Sequence, residues 1–296
     1  MPWLQVTFAT DRARAPLVEI ALGVADALAI ILTDAGDDSR LEPPPGATPL
    51  WSEVLVTGLF PGDPHTRARA ERLAESLTGQ FEGRPRIEYL EDRTWERAWL
   101  DDFGPRQFGQ RLWVSRRGQS QSVPGAAVVQ LDPGLAFGTG NHATTALCLR
   151  WLDGAELAGK QVIDYGCGSG ILAIAALRLG AGGAVAIDHD PQALEATREN
   201  ALENGVANRL AAQLPEPQPP KPADVLLANI LAGPLIELAP RLGDLVRPEG
   251  DLVLSGILEE QADAVAAAYE PAFQLERRWT EEGWVLMPAR RKPSCL

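Results

Sequence analysis

Cysteine is scarce in this chain, and what there is does not pair. Cys148, Cys167 and Cys295 are odd in number and lack the spacing of a thiolate cluster, which argues against a disulfide framework or a cysteine metal site. Cys167 is expected to fill a small slot. Long apolar runs are missing too. The longest, Leu17 to Leu32, is broken by Glu19 and Asp26, and no basic segment with a small-residue cleavage site precedes it. Neither a signal peptide nor a membrane span is expected, which leaves the cytoplasm as the default location. Basic charge is in deficit: 27 Lys and Arg stand against 40 Asp and Glu, for a net charge of -13. A field of that sign repels nucleic-acid phosphates and attracts cationic partners, although solubility alone also accounts for an acidic surface. Heptads and large apolar stripes are absent, so a monomer is expected.

What is present is enough chain for two domains: 296 residues, 45% of them hydrophobic. The first ninety residues alternate short elements. Trp3 to Phe8 reads as a strand, Pro16 to Asp26 as an amphipathic helix and Leu28 to Thr33 as a strand, followed by a Gly/Pro/Asp-rich loop from Asp34 to Pro49. Val54 to Leu59, His65 to Leu77 and Arg86 to Leu90 repeat strand, helix, strand. This is the split βαβ order of a ferredoxin-like sandwich. In residues 91–105, Trp95, Trp99 and Phe103 recur every four positions and share one helix face, which fits a helical linker whose aromatic stripe packs as core.

From Arg106 the periodicity changes to buried-type strands alternating with helices, the pattern of a parallel sheet covered on both faces. Val162 to Tyr165, Ala184 to Ile187 and Val225 to Ala228 are the strands; Ile171 to Leu179 and Pro191 to Asn204 are the helices. Asp190 before Pro191 supplies an N-cap and a first-turn proline, and Gly180 and Gly205 stand where helices end. The tail offers a strand at Leu252 to Ser255, a helix over Glu259 to Tyr269, and a hairpin of Phe273 to Trp279 with Trp284 to Pro288.

Between the first such strand and helix lies Asp164-Tyr-Gly-Cys-Gly-Ser-Gly170. A strand entering a glycine turn that opens a helix lets backbone N–H groups and the positive helix end approach a polar ligand. Read from Gly166, the dinucleotide pattern G-x-G-x-x-G fails at Ile171; read from Gly168, its G-x-G-x-x-A form is met by Ala173. The glycines alone leave the ligand open. Asp164 narrows it, because a carboxylate at the strand end hinders a pyrophosphate and suits an ammonium or sulfonium. Asp188 ends the next strand, placed to accept both hydroxyls of a ribose, as NAD would also require. Asn229 ends the Val225 strand in Asn-Ile-Leu-Ala-Gly-Pro234, where its amide can position an attacking amine as well as a cofactor. Upstream, LDPGLAFGTGNHATT (Leu131 to Thr145) is a second glycine-rich loop entering a helix over His142 to Leu152. The hydroxyls of Thr144 and Thr145 in its first turn suit a carboxylate. Phe137 is a candidate apolar wall, and His142 a candidate base.

These segments, with VIDYGCGSGILAIAALRLGA, IDHDPQALEATRENALENGV and ADVLLANILAGPL, resemble the bacterial ribosomal protein L11 methyltransferases. The resemblance extends to MPWLQVTF, LWSEVLVTGLF and EDRTWERAW, and so spans nearly the whole chain. It implies a seven-stranded, Rossmann-like class I methyltransferase domain at 106–296, dependent on S-adenosylmethionine. Residues 1–90 would form the small ferredoxin-like domain that recognises the ribosomal protein, with 91–105 between the two. It further implies transfer to lysine ε-amino groups and the N-terminal α-amine of L11, a basic protein, with no nucleic acid or membrane involved. Thr145, Gly166, Asp188 and Asn229 become cofactor contacts, joined by Asp164, Gly168, Gly170 and Thr144. A class I methyltransferase of another protein or small amine is the nearest alternative, and an NAD(P)-dependent oxidoreductase a more distant one.

Overall fold

The structure is a computed structural model, and it describes residues 3–36, 50–77, 82–90, 104–118, 125–131, 142–215 and 219–293. The expected linker stripe and Phe137 lie outside the described residues, as do most of the Asp34 to Pro49 loop and residues 132–141. Contacts divide the chain into two units, Met1–Trp99 and Leu100–Leu296.

In the first unit, alternate side chains of β1 (Trp3–Asp11) and β3 (Glu53–Pro61) are buried: Leu4, Val6 and Phe8 on one, Val54, Val56 and Phe60 on the other. A strand with one covered face requires this period of two. Helix α1 (Ala15–Val24) covers that face with Ala15, Val18 and Leu22, and α2 (Pro64–Leu77) with Ala70 and Ala74. With β2 (Ala29–Asp34) and β4 (Glu82–Leu90) the sheet order is β2-β3-β1-β4, every neighbour antiparallel. The element order βαββαβ and this sheet order make a ferredoxin-like sandwich.

The second unit is built on a parallel sheet whose two faces feed two separate cores. Along β8 (Gln161–Tyr165) and β11 (Ala223–Asn229), Val162, Val225 and Leu227 join one cluster, while Ile163, Leu226 and Ala228 join the other. The first cluster is closed by α3 (Ala143–Gly154), α4 (Ile171–Arg178) and α5 (Pro191–Glu203). The second is closed by α6 (Ala232–Glu237), α7 (Ala239–Asp244) and α8 (Ala262–Tyr269). Each fully buried Leu, Ile or Val contributes about 1.5–3 kcal/mol, so both faces hold their helices firmly.

The main path of the sheet runs β10-β9-β8-β11-β12-β15-β13, adding β9 (Gly183–Ile187), β10 (Leu210–Gln213), β12 (Val246–Leu258), β13 (Phe273–Leu275) and β15 (Trp284–Arg291). From β10 to β12 all pairs are parallel; β15 is antiparallel to both its neighbours. Seven strands were expected and seven form this path, with an eighth, β14 (Trp279–Glu281), hydrogen-bonded to β15. The run Phe273 to Trp279, read as one strand, is therefore two short ones. Both pair with β15, at different stretches of it.

A smaller sheet of β5 (Arg106–Phe108), β6 (Leu112–Arg116) and β7 (Ala127–Leu131) was not foreseen. One side chain fastens it to α3. The buried carboxylate of Asp153 accepts the backbone N–H groups of Gln110, Arg111 and Leu112 at 2.6, 2.9 and 2.8 Å. Asp153→Ala orphans three donors at once and should cost about 2–3 kcal/mol in urea unfolding. Asp263, an exposed partner of Arg278, should cost less than about 0.5 kcal/mol on the same change. Equal losses at the two positions would contradict this account.

Candidate active site

The register of three parallel strands builds the site. Tyr165 of β8 pairs with Ile187 of β9 and with Ala228 of β11, so the next residue on each strand, Gly166, Asp188 and Asn229, emerges at one level. After β8 the chain moves to β9 and β10 on one side, then crosses to β11 on the other. Ligand crevices in open α/β sheets form at such a reversal, beyond the carboxyl ends of the strands.

Two connected clefts lie there. The smaller, about 190 Å³, brings together Thr145, Asp164, Gly166, Gly168, Asp188 and Asn229. The larger, about 570 Å³, takes in His142 and Thr144 and shares Gly166, Asp188 and Asn229 with the first. Gly170 lies elsewhere, as the N-cap of α4 at φ +76°. A Cβ on Gly170 would stand 2.7 Å from Thr197 Cγ2, and one on Gly166, also at φ +76°, 2.3 Å from Ile230 Cγ2. These two positions need glycine for close packing as well as for backbone conformation.

Four N–H groups of the turn have acceptors within the protein. Gly166 and Cys167 both donate to Ile187 O at 2.8 and 3.0 Å, Gly168 donates to Asp188 Oδ2 at 2.9 Å, and Gly170 donates to Cys167 O at 2.8 Å. These four N–H groups are committed within the protein, and side chains add polarity toward the cleft.

Asp164 is the most unusual of these. Gly170 has no side chain with which to cap α4, and Asp164 does so from the preceding strand, its Oδ2 accepting the Ala173 N–H at 3.0 Å. Its other oxygen, Oδ1, is buried with no hydrogen-bond partner among the described residues, although the residue lines the smaller cleft. Burial raises the carboxyl from 3.8 to about 7, opposed by the Ala173 bond and assisted by the nearby Asp188 charge. A buried acid with an orphaned oxygen fits a cationic ligand group. Asp188 is held by the Gly168 N–H on Oδ2 and by the Asp190 N–H on Oδ1 at 3.0 Å, leaving further lone pairs on both oxygens. Burial pushes the Cys167 thiol up, assisted by Asp164, so it is no nucleophile at neutral pH.

The two threonines differ. His142 is the N-cap of α3, with Nδ1 accepting the Thr144 N–H at 3.4 Å and lying 2.8 Å from Thr144 Oγ1. A neutral imidazole that accepts at Nδ1 carries its proton on Nε2. The Thr144 hydroxyl is spent in this cap. Thr145 Oγ1 instead accepts from Asn229 Nδ2 at 3.3 Å, which leaves its own O–H to donate. Sequence reasoning passed over Trp284, which packs edge-on to the His142 ring at 4.9 Å and lines the larger cleft, together with Ile230, Leu231 and Leu238. Trp284 had been read only as a hairpin residue; Ile230 and Leu231 were inside the quoted motif without a role.

A sheet order with one antiparallel strand inserted beside the last parallel one, and an acidic strand end running into a glycine turn, define a class I methyltransferase fold. A family model described as ribosomal protein L11 methyltransferase (PrmA) matches residues 2–292. The ribosomal protein L11 methyltransferase of Marinobacter nauticus is 51% identical over 296 residues, covering 99% of each chain. That of Pseudomonas aeruginosa is 52% identical over 293 residues, again with 99% of each covered. The crystal structure of a ribosomal protein L11 methylase from Lactobacillus delbrueckii subsp. bulgaricus aligns at a TM-score of 0.59 and 31% identity, over 64% of this chain and 100% of that one. The chain belongs to the ribosomal protein L11 methyltransferase family.

Asp164 carries a test of its own. Its folded pKa, about 7, lies above the ordinary 3.8, so between these values the unfolded chain gives up a proton that the folded protein keeps. Stability from this group falls as pH rises through that window and is level above it. Urea midpoints of Asp164→Asn should therefore gain on the parent from about pH 4 to 7. A pH-independent difference would refute the buried-acid description.

Proposed function

We propose that the protein transfers methyl groups from S-adenosylmethionine to ribosomal protein L11, taking lysine ε-amino groups and the N-terminal α-amine, as a cytoplasmic monomer. The reading rests on one observation: the half-satisfied carboxyl of Asp164 and the amide of Asn229 stand at adjacent strand ends of one cleft. The first suits the donor's ammonium, the second the acceptor amine. Residues 1–90 are assigned to recognition of the ribosomal protein, 91–105 to the connection and 106–296 to methyl transfer. Neither nucleic acid nor a membrane is a partner in this reading; among the described residues no helix is long and apolar enough to cross one.

When bound, S-adenosylmethionine supplies a methyl carbon on a sulfonium, open to in-line displacement by an amine. Asp164 Oδ1 would hold its ammonium, Asp188 its ribose hydroxyls, and the Thr145 hydroxyl would donate to its carboxylate. Gly166 and Gly168 bring the main chain close, and Gly170 sets the helix behind them. With Nδ2 tied to Thr145, the Oδ1 of Asn229 remains to accept an N–H of the acceptor amine and fix its lone pair. Positioning of this kind is worth on the order of 7–11 kcal/mol in well-oriented systems.

The amine must be neutral to react, and a free lysine titrates at about 10.4. Entry into the larger cleft, lined by Ile230, Leu231, Leu238 and Trp284, disfavours the ammonium and lowers that value. No side-chain base is then needed. His142, with Nδ1 committed to the helix cap, shapes the cleft beside Trp284, and Phe137 is proposed as a further apolar wall.

Intact-mass measurement of purified large-subunit ribosomal proteins, after incubation with the protein and its donor, should show gains in whole methyl increments on L11 alone. Gains on a different protein, or none, would sink the assignment. Asn229→Ala should lower kcat about a hundredfold, because a small misplacement of the amine is enough to do so.

A further inference from the structure

Helix α5 and its C-cap carry three polar side chains that are almost wholly shielded from solvent: Thr197 at 0%, Asn200 at 4% and the C-cap Asn204 at 7% exposure. Their spacing of three and four places them on one helix face. An apolar seam would close the core there at less cost, since buried polar groups must each find a partner. All three spend their bonds on the candidate donor site or on the chain leading to it. Thr197 Oγ1 donates to Gly168 O at 3.0 Å and lies 3.4 Å from Cys167 Sγ. Asn200 Nδ2 donates to Ser169 O at 2.9 Å. Asn204 grips the main chain of Gln130 on both sides: Nδ2 donates to its carbonyl at 2.6 Å, and Oδ1 accepts its N–H at 2.8 Å. The second proton of the same amide donates to Asn200 O at 2.7 Å, joining the two asparagines.

Gln130 is the penultimate residue of β7, and the FGTGN segment follows it in the sequence. Gly168 and Ser169 belong to the glycine turn. The N-terminus of α5 is itself tied to the rim, because Asp190 caps it and also donates its N–H to Asp188. One helix thus grips the glycine turn, the root of the upstream glycine loop and the end of β9.

We propose that Thr197, Asn200 and Asn204 form a positioning seam that fixes the glycine turn for donor binding and anchors it to the end of β7. None of the three touches the donor; they act through the carbonyls of Gly168 and Ser169 and through the backbone of Gln130. This rests on the glycine turn being the donor site, as proposed above. The bonds made by the seam are internal to the protein, so its removal changes how well the site is pre-formed. That cost falls on donor affinity, whereas the acceptor lies against the other wall of the cleft.

The test is calorimetric titration of S-adenosylhomocysteine into the parent and into Thr197→Val, Thr197→Ser, Asn200→Ala and Asn204→Ala, well below each unfolding midpoint. Thr197→Val keeps the shape and loses the hydroxyl, and should weaken binding about tenfold, as loss of one buried hydrogen bond does. Thr197→Ser keeps the hydroxyl and should restore most of that loss. Asn204→Ala should weaken binding by a similar factor and raise KM for the donor while leaving KM for the protein substrate unchanged. The Asn200→Ala, Asn204→Ala pair should lose less than the product of the single effects, because the two amides act as a unit. Variants with lowered midpoints but parental affinity would reduce the seam to a structural role and overturn the proposal. A parent that gives no binding heat at all would remove the donor-site reading together with the seam.

Discussion

A carboxyl group buried at the end of a parallel strand governs this site. Asp164 has to be where it is because α4 opens on a glycine and needs a cap, and its Oδ2 supplies one through Ala173. The same burial leaves Oδ1 without a partner among the described residues and raises the acid to about 7. A charge left this way is costly in an empty protein and favourable beside a cation. The strand register then puts Gly166, Asp188 and Asn229 on one level above it. Folding the helix and preparing the site are a single arrangement of atoms.

Much of the second unit was legible because its strands are buried on both faces and short. Val162 to Tyr165, Ala184 to Ile187 and Val225 to Ala228 could hardly be anything else, and Asp190 with Pro191 marked the start of α5. The elements that escaped are those with weak local signals. Strand β10 is a four-residue edge strand, only partly buried, whose partner β9 comes more than twenty residues earlier. Helices α6 and α7 are six residues each and hold their shape by packing Leu235 and Leu242 into the core, not by length. The split of β13 from β14 is set by which stretch of β15 each one meets. No single-segment pattern encodes that.

Within the site, Thr145, Asp164, Gly166, Gly168, Asp188 and Asn229 share one small cleft, each at a strand end, in the glycine turn or in the first turn of a helix, whereas Gly170 lies outside it. What could not be read was where each hydrogen bond goes. Thr144 and Thr145 are neighbours of the same type, yet one is consumed by the His142 cap and the other meets Asn229. Trp284 reaches the cleft from a strand more than fifty residues along the chain from Asn229. The amide bookkeeping of the glycine turn was likewise invisible, because its acceptors, Ile187 and Asp188, belong to the next strand.

That bookkeeping also separates the ligand classes left open by the glycine pattern. A diphosphate at a glycine turn is held by open backbone N–H groups and the positive end of the helix behind them. Here the N–H groups of Gly166, Cys167, Gly168 and Gly170 are all committed to protein acceptors. The carboxylate of Asp188 and the buried acid of Asp164 both line the same small space. Two acids near a pyrophosphate repel it, and at the short separations involved this repulsion is little screened by salt. In the proposed reading the ammonium of a zwitterionic nucleoside would reverse the sign: it would lower the pKa of Asp164, give Oδ1 a partner, and leave the Asp188 lone pairs for its ribose. The glycines, common to both ligand classes, therefore do not discriminate between them. Discrimination lies in the acids that line the space beside them, Asp164 and Asp188.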